Sequence, residues 1–156
     1  MKKFLSISIF LFFSAGLFAE KTADEHIKAL SSGTDQEKIS ACKFLGNEKK
    51  DKTAIKHIIT LLKATDNPKV AAAAAIALGY IKEKGEPTRA LKEKIMSETD
   101  SNVVYACLLA LYNITVANET LEDDTKAALE YADINHRQNE FVADALDKIK
   151  KKAKKS

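Results

Sequence analysis

The side chains in this 156-residue chain that could do chemistry are few and stand far apart. His26 and His57 fall on neighbouring amphipathic runs, and with Asp24 or Glu25 they would make part of a metal site, which needs a further ligand. The plainer reading is two solvent-facing or half-buried rings. His136 stands beside Arg137 with no visible partner and reads as a surface residue. Cys42 and Cys107 could pair as a disulfide or serve as a nucleophile, but no base is spaced to activate either. Glu122-Asp123-Asp124 could hold calcium or do acid–base work; at the start of a helix it instead meets the positive end of the helix dipole. Asn113-Ile114-Thr115 and Asn118-Glu119-Thr120 match the glycosylation sequon, a pattern common by chance. The chain contains no GxGxxG, P-loop, HExxH, CxxC or GxSxG. No catalytic, metal-binding or cofactor-binding residue is assigned, and no cofactor is expected.

The elements that would position any site are helices. The chain is 46% hydrophobic and 30% charged, enough apolar material for one core and too much for a disordered chain. Five Gly, two Pro and no Trp argue against a turn-rich sheet fold. Lys2-Lys3, the apolar run Phe4–Phe13 and the small residues Ser14, Ala15, Gly16 and Ala19 have the order of a secretory signal. The run is shorter than the roughly 20 apolar residues that span a bilayer, although a retained N-terminal anchor is the alternative. Cleavage is expected after Ala19, a site made imperfect by Leu17 where a small residue is preferred, with Gly16 second. No Cys at the junction would take a lipid. The expected division is residues 1–19 as signal, 20–147 as a repeat domain and 148–156 as a lysine-rich tail, in an exported, periplasmic or secreted protein.

Removal of the signal leaves 23 basic against 22 acidic side chains, and residues 20–147 alone carry 17 against 22. An acidic body with a basic end and no aromatics among its lysines is a poor nucleic-acid binder, so no nucleic-acid partner is expected. The lysines from Lys148 to Lys155 would suit weak contact with an anionic surface or an acidic partner; a solvated helix end is the plainer reading.

A repeat governs the body. EKISACKFLG (37–46), VAAAAAIALG (70–79) and Val103 followed by VYACLLALY (104–112) align on Leu45, Leu78 and Leu111, and a weaker copy from Gln138 ends at Leu146. Thr-Asp pairs at 34–35, 65–66 and 99–100 precede three copies, and Asp133-Ile134-Asn135 holds that place before the fourth. Each unit reads as two helices. The first are 23–30, 53–63, 88–96 and 124–132; Ile55, Ile58, Ile59 and Leu62 form one apolar stripe. The second should bury positions 0, +4, +5 and +8: Val70, Ala74, Ala75 and Leu78, then Val103, Cys107, Leu108 and Leu111. Gly46 and Gly79 would supply helix-end geometry or close packing. Because a whole unit separates Cys42 from Cys107, their Cα atoms should lie roughly 16–20 Å apart, too far for a disulfide. Both are read as buried free thiols.

These copies, clearest at Thr65–Gly79, resemble the HEAT repeat family, specifically its short HEAT-like type with a V…AA…LG pattern behind an aspartate turn. The resemblance spans about residues 22–150 and implies an all-α fold, a short right-handed α-solenoid of about four helical hairpins. Glu37, Gln138 and Asp147 depart from the pattern, as suits terminal repeats with polar caps. The family implies a curved surface used for protein binding, lined by the second helices. Some relatives are bilin lyases, so an enzyme or an enzyme accessory handling a small cofactor is the alternative.

If 0, +4 and +8 face inward, +2 and +6 face outward. These columns hold Ile39, Ala72, Tyr105 and Glu140, and Lys43, Ile76, Leu109 and Asp144, with Tyr80 and Phe141 close by. Apolar Ile76, Tyr105 and Leu109 on an outward face would mark a contact surface. The competing reading puts them against neighbouring repeats. The expected function is a non-enzymatic scaffold or adaptor, binding a protein partner of unknown identity through Ile39, Lys43, Ile76, Tyr80, Tyr105, Leu109, Glu140 and Asp144. Self-association through the same strip is a further possibility.

Overall fold

The computed structural model describes residues 21–153. The signal segment with its two cleavage positions, and Lys154 and Lys155 of the expected tail, lie outside the described residues. Eight α-helices and no strand occur among the described residues: α1 Ala23–Ser32, α2 Asp35–Cys42, α3 Ile55–Ala64, α4 Pro68–Ile81, α5 Glu86–Ser97, α6 Ser101–Asn118, α7 Asp123–Asn135 and α8 Glu140–Ala153. They form four successive hairpins. The first helices α1, α3, α5 and α7 contact one another in order and make one layer; the second helices α2, α4, α6 and α8 make the other. This is an all-α solenoid of four helical hairpins.

Local sequence sets the helix starts. Thr22 and Thr34 each accept the N–H three residues on, while Glu25 and Glu37 reach back to the cap N–H. The Thr22 and Thr34 backbone N–H groups hold these two exposed carboxyls below the usual range, with help from Lys21 at Glu37. Asn67 caps α4 with Pro68 in its first turn, and Asp100 accepts from Asn102 and Val103 at the head of α6. The fourth turn departs from expectation. Helix α7 continues through Asp133-Ile134-Asn135, and Asn139 caps α8 by accepting from the Phe141 and Val142 N–H groups. Gln138 therefore precedes the helix and is exposed. Helix α8 runs through Lys148, Lys150, Lys151 and Lys152 to Ala153, so the described part of the lysine-rich segment is helical.

Three of the second helices end in two ways. After Cys42 the backbone continues as a wider π-helical turn, Lys43–Glu48, in which the Lys49 N–H reaches back to the Phe44 carbonyl. Helix α4 ends at Lys82 and α6 at Glu119, both in the left-handed conformation without glycine's freedom, at φ 65° and 51°.

The core follows the repeat columns. Leu45, Leu78, Leu111 and Leu146 are each 0% exposed, as are Val70, Ala74, Ala75, Val103, Cys107 and Leu108. Burial of each such leucine contributes about 1.5–3 kcal/mol. Helix α6 is long and apolar enough to cross a membrane by length and composition; here Val103, Val104, Leu108, Leu111 and Ile114 are buried, the usage of a core helix.

Glycine decides how closely the second helices approach. A Cβ added at Gly46 would lie 2.5 Å from the Cα of Ala77, and one at Gly79 would lie 2.6 Å from the Cα of Ala110. Of the two roles open to these glycines, close packing is the one they serve. The same column and its facing column continue as Tyr112 and Ala145, so the third interface lacks the glycine that brings the π-helical turn after α2 onto α4, and α4 onto α6.

Polar ties run between the same neighbours. Asn67 donates to Asp35, Thr88 to Glu122, Lys92 to Asp124, Asn118 to the Lys82 carbonyl and Tyr131 to the Met96 carbonyl, all across 32 to 36 residues, about one repeat. Glu122 also accepts from the Gly85 N–H at 3.1 Å, where Gly85 starts α5 at φ 81°.

Gly79→Ala is expected to lower stability by about 1–3 kcal/mol through overpacking, although alanine is the better helix former by about 1 kcal/mol. Urea unfolding of the two proteins checks this. Equal or greater stability of the variant would mean that α4 and α6 separate at little cost.

Candidate functional site

The outward columns of the second helices are outward in the structure. Ile76 is 42% exposed, Tyr80 37% and Phe141 63%. Ile39, Tyr105 and Leu109 are half-buried, and Lys43, Glu140 and Asp144 are exposed. The competing placement holds in part: Ile39 and Tyr105 pack against the core, and Tyr105 meets Phe141 of the next unit. An aliphatic or aromatic side chain at each of these outward positions on α4 and α6 leaves apolar surface facing water, which a purely structural face would replace with charge.

The eight residues do not form one patch. Ile39 and Lys43 from the first unit meet Ile76 and Tyr80 from α4 around a hollow of about 290 Å³, floored by Cys42 and Ala77. Tyr105 sits beyond it on α6 with its ring edge-on to Phe141 of α8, centroids 6.5 Å apart. Leu109 lines a second hollow, between α6 and α8. On α8, Asp144 is paired with Lys148 at 2.6 Å, which raises the lysine's pKa through that hydrogen bond. Glu140 stands in the first turn of α8, where an acidic side chain suits the helix N-terminus.

The two thiols are not poised as nucleophiles. Cys42 and Cys107 are free and buried, and burial pushes each thiol up to about 12. A neutral thiol is neither nucleophile nor metal ligand at ordinary pH. No group of three or more His, Cys, Asp or Glu side chains among the described residues is placed to hold a metal ion. His26 stacks on Phe44 with ring centroids 4.1 Å apart, and Lys49 approaches that phenyl ring from 5.2 Å. His57 is exposed on α3. His136 differs from its reading as a surface residue: it is half-buried 5.9 Å from the Tyr131 ring, and its Nε2 is buried with no hydrogen-bond partner. The acidic run is spent structurally. Glu122 binds Gly85 and Thr88, Asp124 pairs with Lys92, and Asp123 with Lys126.

Tyr112, Ile149 and Lys151, which line the second hollow, carry no signal in the column arithmetic. Their one trace in the sequence is the break in the glycine column, where Gly46 and Gly79 give way to Tyr112.

A family model described as HEAT repeats matches residues 23–112, more than half of the chain. No curated protein and no solved structure matches.

The thiols make stability fall with alkali. An unfolded thiol titrates near 9.0 and these folded ones near 12, so between those limits the unfolded chain binds fewer protons than the folded one. Stability should then drop by about 1.4 kcal/mol per pH unit for each thiol. Denaturant unfolding from pH 8 to 11 should show a steeper decline for the wild type than for Cys42→Ala/Cys107→Ala. Parallel declines would mean that the thiols are not held neutral.

Proposed function

Because the chain belongs to the HEAT repeat family, and HEAT repeats generally mediate protein–protein interaction, we propose that it is a non-enzymatic scaffold or adaptor that binds a protein through its second-helix face. The observation that carries this reading is the apolar surface left in water there. Ile76, Tyr80 and Phe141 are all exposed, on two units whose inward columns are otherwise sorted cleanly by polarity.

The mechanism is shape and apolar complementarity. The hollow between the first unit and α4 accepts a side chain against Ile39, Ile76 and Tyr80, while Tyr105 and Leu109 extend the contact across α6. Lys43, Glu140 and Asp144 stand at the edges, where charge selects partners and guides approach more than it adds affinity. Aromatic and aliphatic anchors in such hollows carry most of the binding energy of an interface. The protein acts in the exported compartment on this reading, which rests on the order of Lys2-Lys3, the apolar run and the small residues before Glu20.

Protein recovered from envelope or medium should begin at Glu20 or Leu17 by terminal sequencing, and used as bait it should capture a partner. Ile76→Glu/Tyr80→Glu, at exposed positions, should keep the wild-type circular dichroism and weaken that capture by about 30-fold or more. Undiminished capture by the folded variant would contradict the proposed face. Capture of a second copy of the chain alone would make the strip a self-association surface.

A further inference from the structure

The second-helix face carries charge at its two ends and none in its middle. From Val70 to Ile81 on α4, and from Ser101 to Asn118 on α6, there is no Asp, Glu, Lys or Arg. At one end, in the turn after α2, Lys43 stands 4.0 Å from Glu48. At the other, on α8, Asp144 stands 2.6 Å from Lys148. Both pairs are exposed, and along the chain they run in opposite order, cation first in the first unit and anion first in the last. Lys43 and Asp144 both hold position +6 of the repeat. Relief alternates in the same way. Phe141 is exposed near the start of α8 with its ring against Tyr105, so a knob stands over the seam between α6 and α8. Further along that seam lies the hollow walled by Leu109, Tyr112 and Ala145. Between the first unit and α4 the order is reversed. There the hollow opens between Ile39 and Ala73 near the helix starts, and exposed Tyr80 stands at its far end.

We propose, building on the reading of this face as a protein-binding surface, that its occupant is a second copy of the chain. The two copies meet face to face about a two-fold axis that lies between α4 and α6 and runs parallel to the helices. Under that axis α4 of each copy lies over α6 of the other, and the first unit lies over α8. Ile76 then packs on Leu109, and the ring of Tyr105 lies over the small side chain of Ala72. Phe141 enters the other copy's hollow beside Ile39 and Ala73, while Tyr80 enters the hollow beside Leu109 and Ala145. The Lys43–Glu48 pair lies over the Asp144–Lys148 pair with signs alternating, so neither pair has to open. Exposed pairs contribute little alone, and four charges of alternating sign fix register more than affinity. A two-fold axis along the stack instead sets each helix on its own copy. To bring Lys43 over Glu48 it must pivot near Leu78, so the helix starts, Tyr105 and Phe141 among them, hang clear. Three steps of about 10 Å and helices of about 20 Å give a face of roughly 600 Å². A standard interface takes about 800 Å² from each partner, so the dimer needs the whole face and falls at the weak end of stable contacts.

The test is analytical ultracentrifugation of the protein, as purified from its own cells, over a concentration series. A reversible dimer that dissociates in the micromolar range is expected, with no larger species because a two-fold contact closes. Lys43→Glu and Asp144→Lys, each at an exposed position and with unchanged circular dichroism, should each weaken the dimer by about tenfold or more, since like charges then meet. Mixed together, the two variants should pair within about threefold of the wild-type affinity, because each contact then joins opposite signs. Phe141→Ala should weaken the dimer by about tenfold or more, and it keeps the test decisive should a charge variant fail to fold. A chain that stays monomeric up to about 1 mM, a dimer indifferent to Phe141→Ala, or folded charge variants that do not restore each other would overturn the proposal. A dimer that Ile76→Glu/Tyr80→Glu leaves intact lies elsewhere on the molecule and would overturn it too. If the chain is monomeric and that double variant still loses a captured protein, the face remains a binding surface and only its occupant is wrong. Capture undiminished by the double variant contradicts the face itself.

Discussion

Contact between a glycine on one second helix and an alanine on the next is the constraint on which the stack depends. At Gly46 against Ala77 and Gly79 against Ala110 there is no room for a methyl group. Leu45, Leu78 and Leu111 are sealed from water beside these contacts, as Leu146 is in the unit that has no glycine. The small residues contribute little transfer energy themselves. They set the distance at which larger side chains interdigitate, and dispersion falls off within about an ångström of that distance.

A second consequence is that the structure is nearly one-dimensional. The cross-repeat polar ties join residues about one period apart, from Asn67 with Asp35 to Tyr131 with Met96. Each unit therefore leans on its neighbours alone, and stability is the sum of unit and interface contributions. The interfaces are unequal. Two carry the glycine contact and the third has Tyr112 in that column, while ion pairs from Arg137 and Lys150 to Asp133 and Asp147 tie α7, its turn and α8 together inside the last unit. Exposed pairs of this kind contribute little, about 0–1 kcal/mol each.

Much of this was legible in the residues. The leucine spacing, the Thr/Asp turns and the inward columns gave the hairpins, the core and the outward strip, because period-3.6 burial is written into every turn of a helix. The fourth unit was less legible. Its repeat is degenerate, and Asp133-Ile134-Asn135 looks like a turn, yet α7 runs on and Asn139 takes the cap. The tie from Glu122 to Gly85 and Thr88 was hidden because its partners are 34 and 37 residues away in sequence. Burial of His136 depends on that same late turn, so the misplaced cap misplaced the histidine. The division of the outward strip into two hollows and an aromatic pair needed coordinates, since a column shows which way side chains face and not how far neighbouring helices stand apart.

Native-state hydrogen exchange read helix by helix tests the central claim most directly, because it reports the opening free energy of each unit. With glycine contacts fastening the turn after α2 to α4, and α4 to α6, and none fastening α8, the amides of α4 and α6 should exchange slowest and those of α8 well before them. Amides of α8 as protected as those of α4 would contradict the account, for the stack would then owe its order to something other than the closeness that glycine permits.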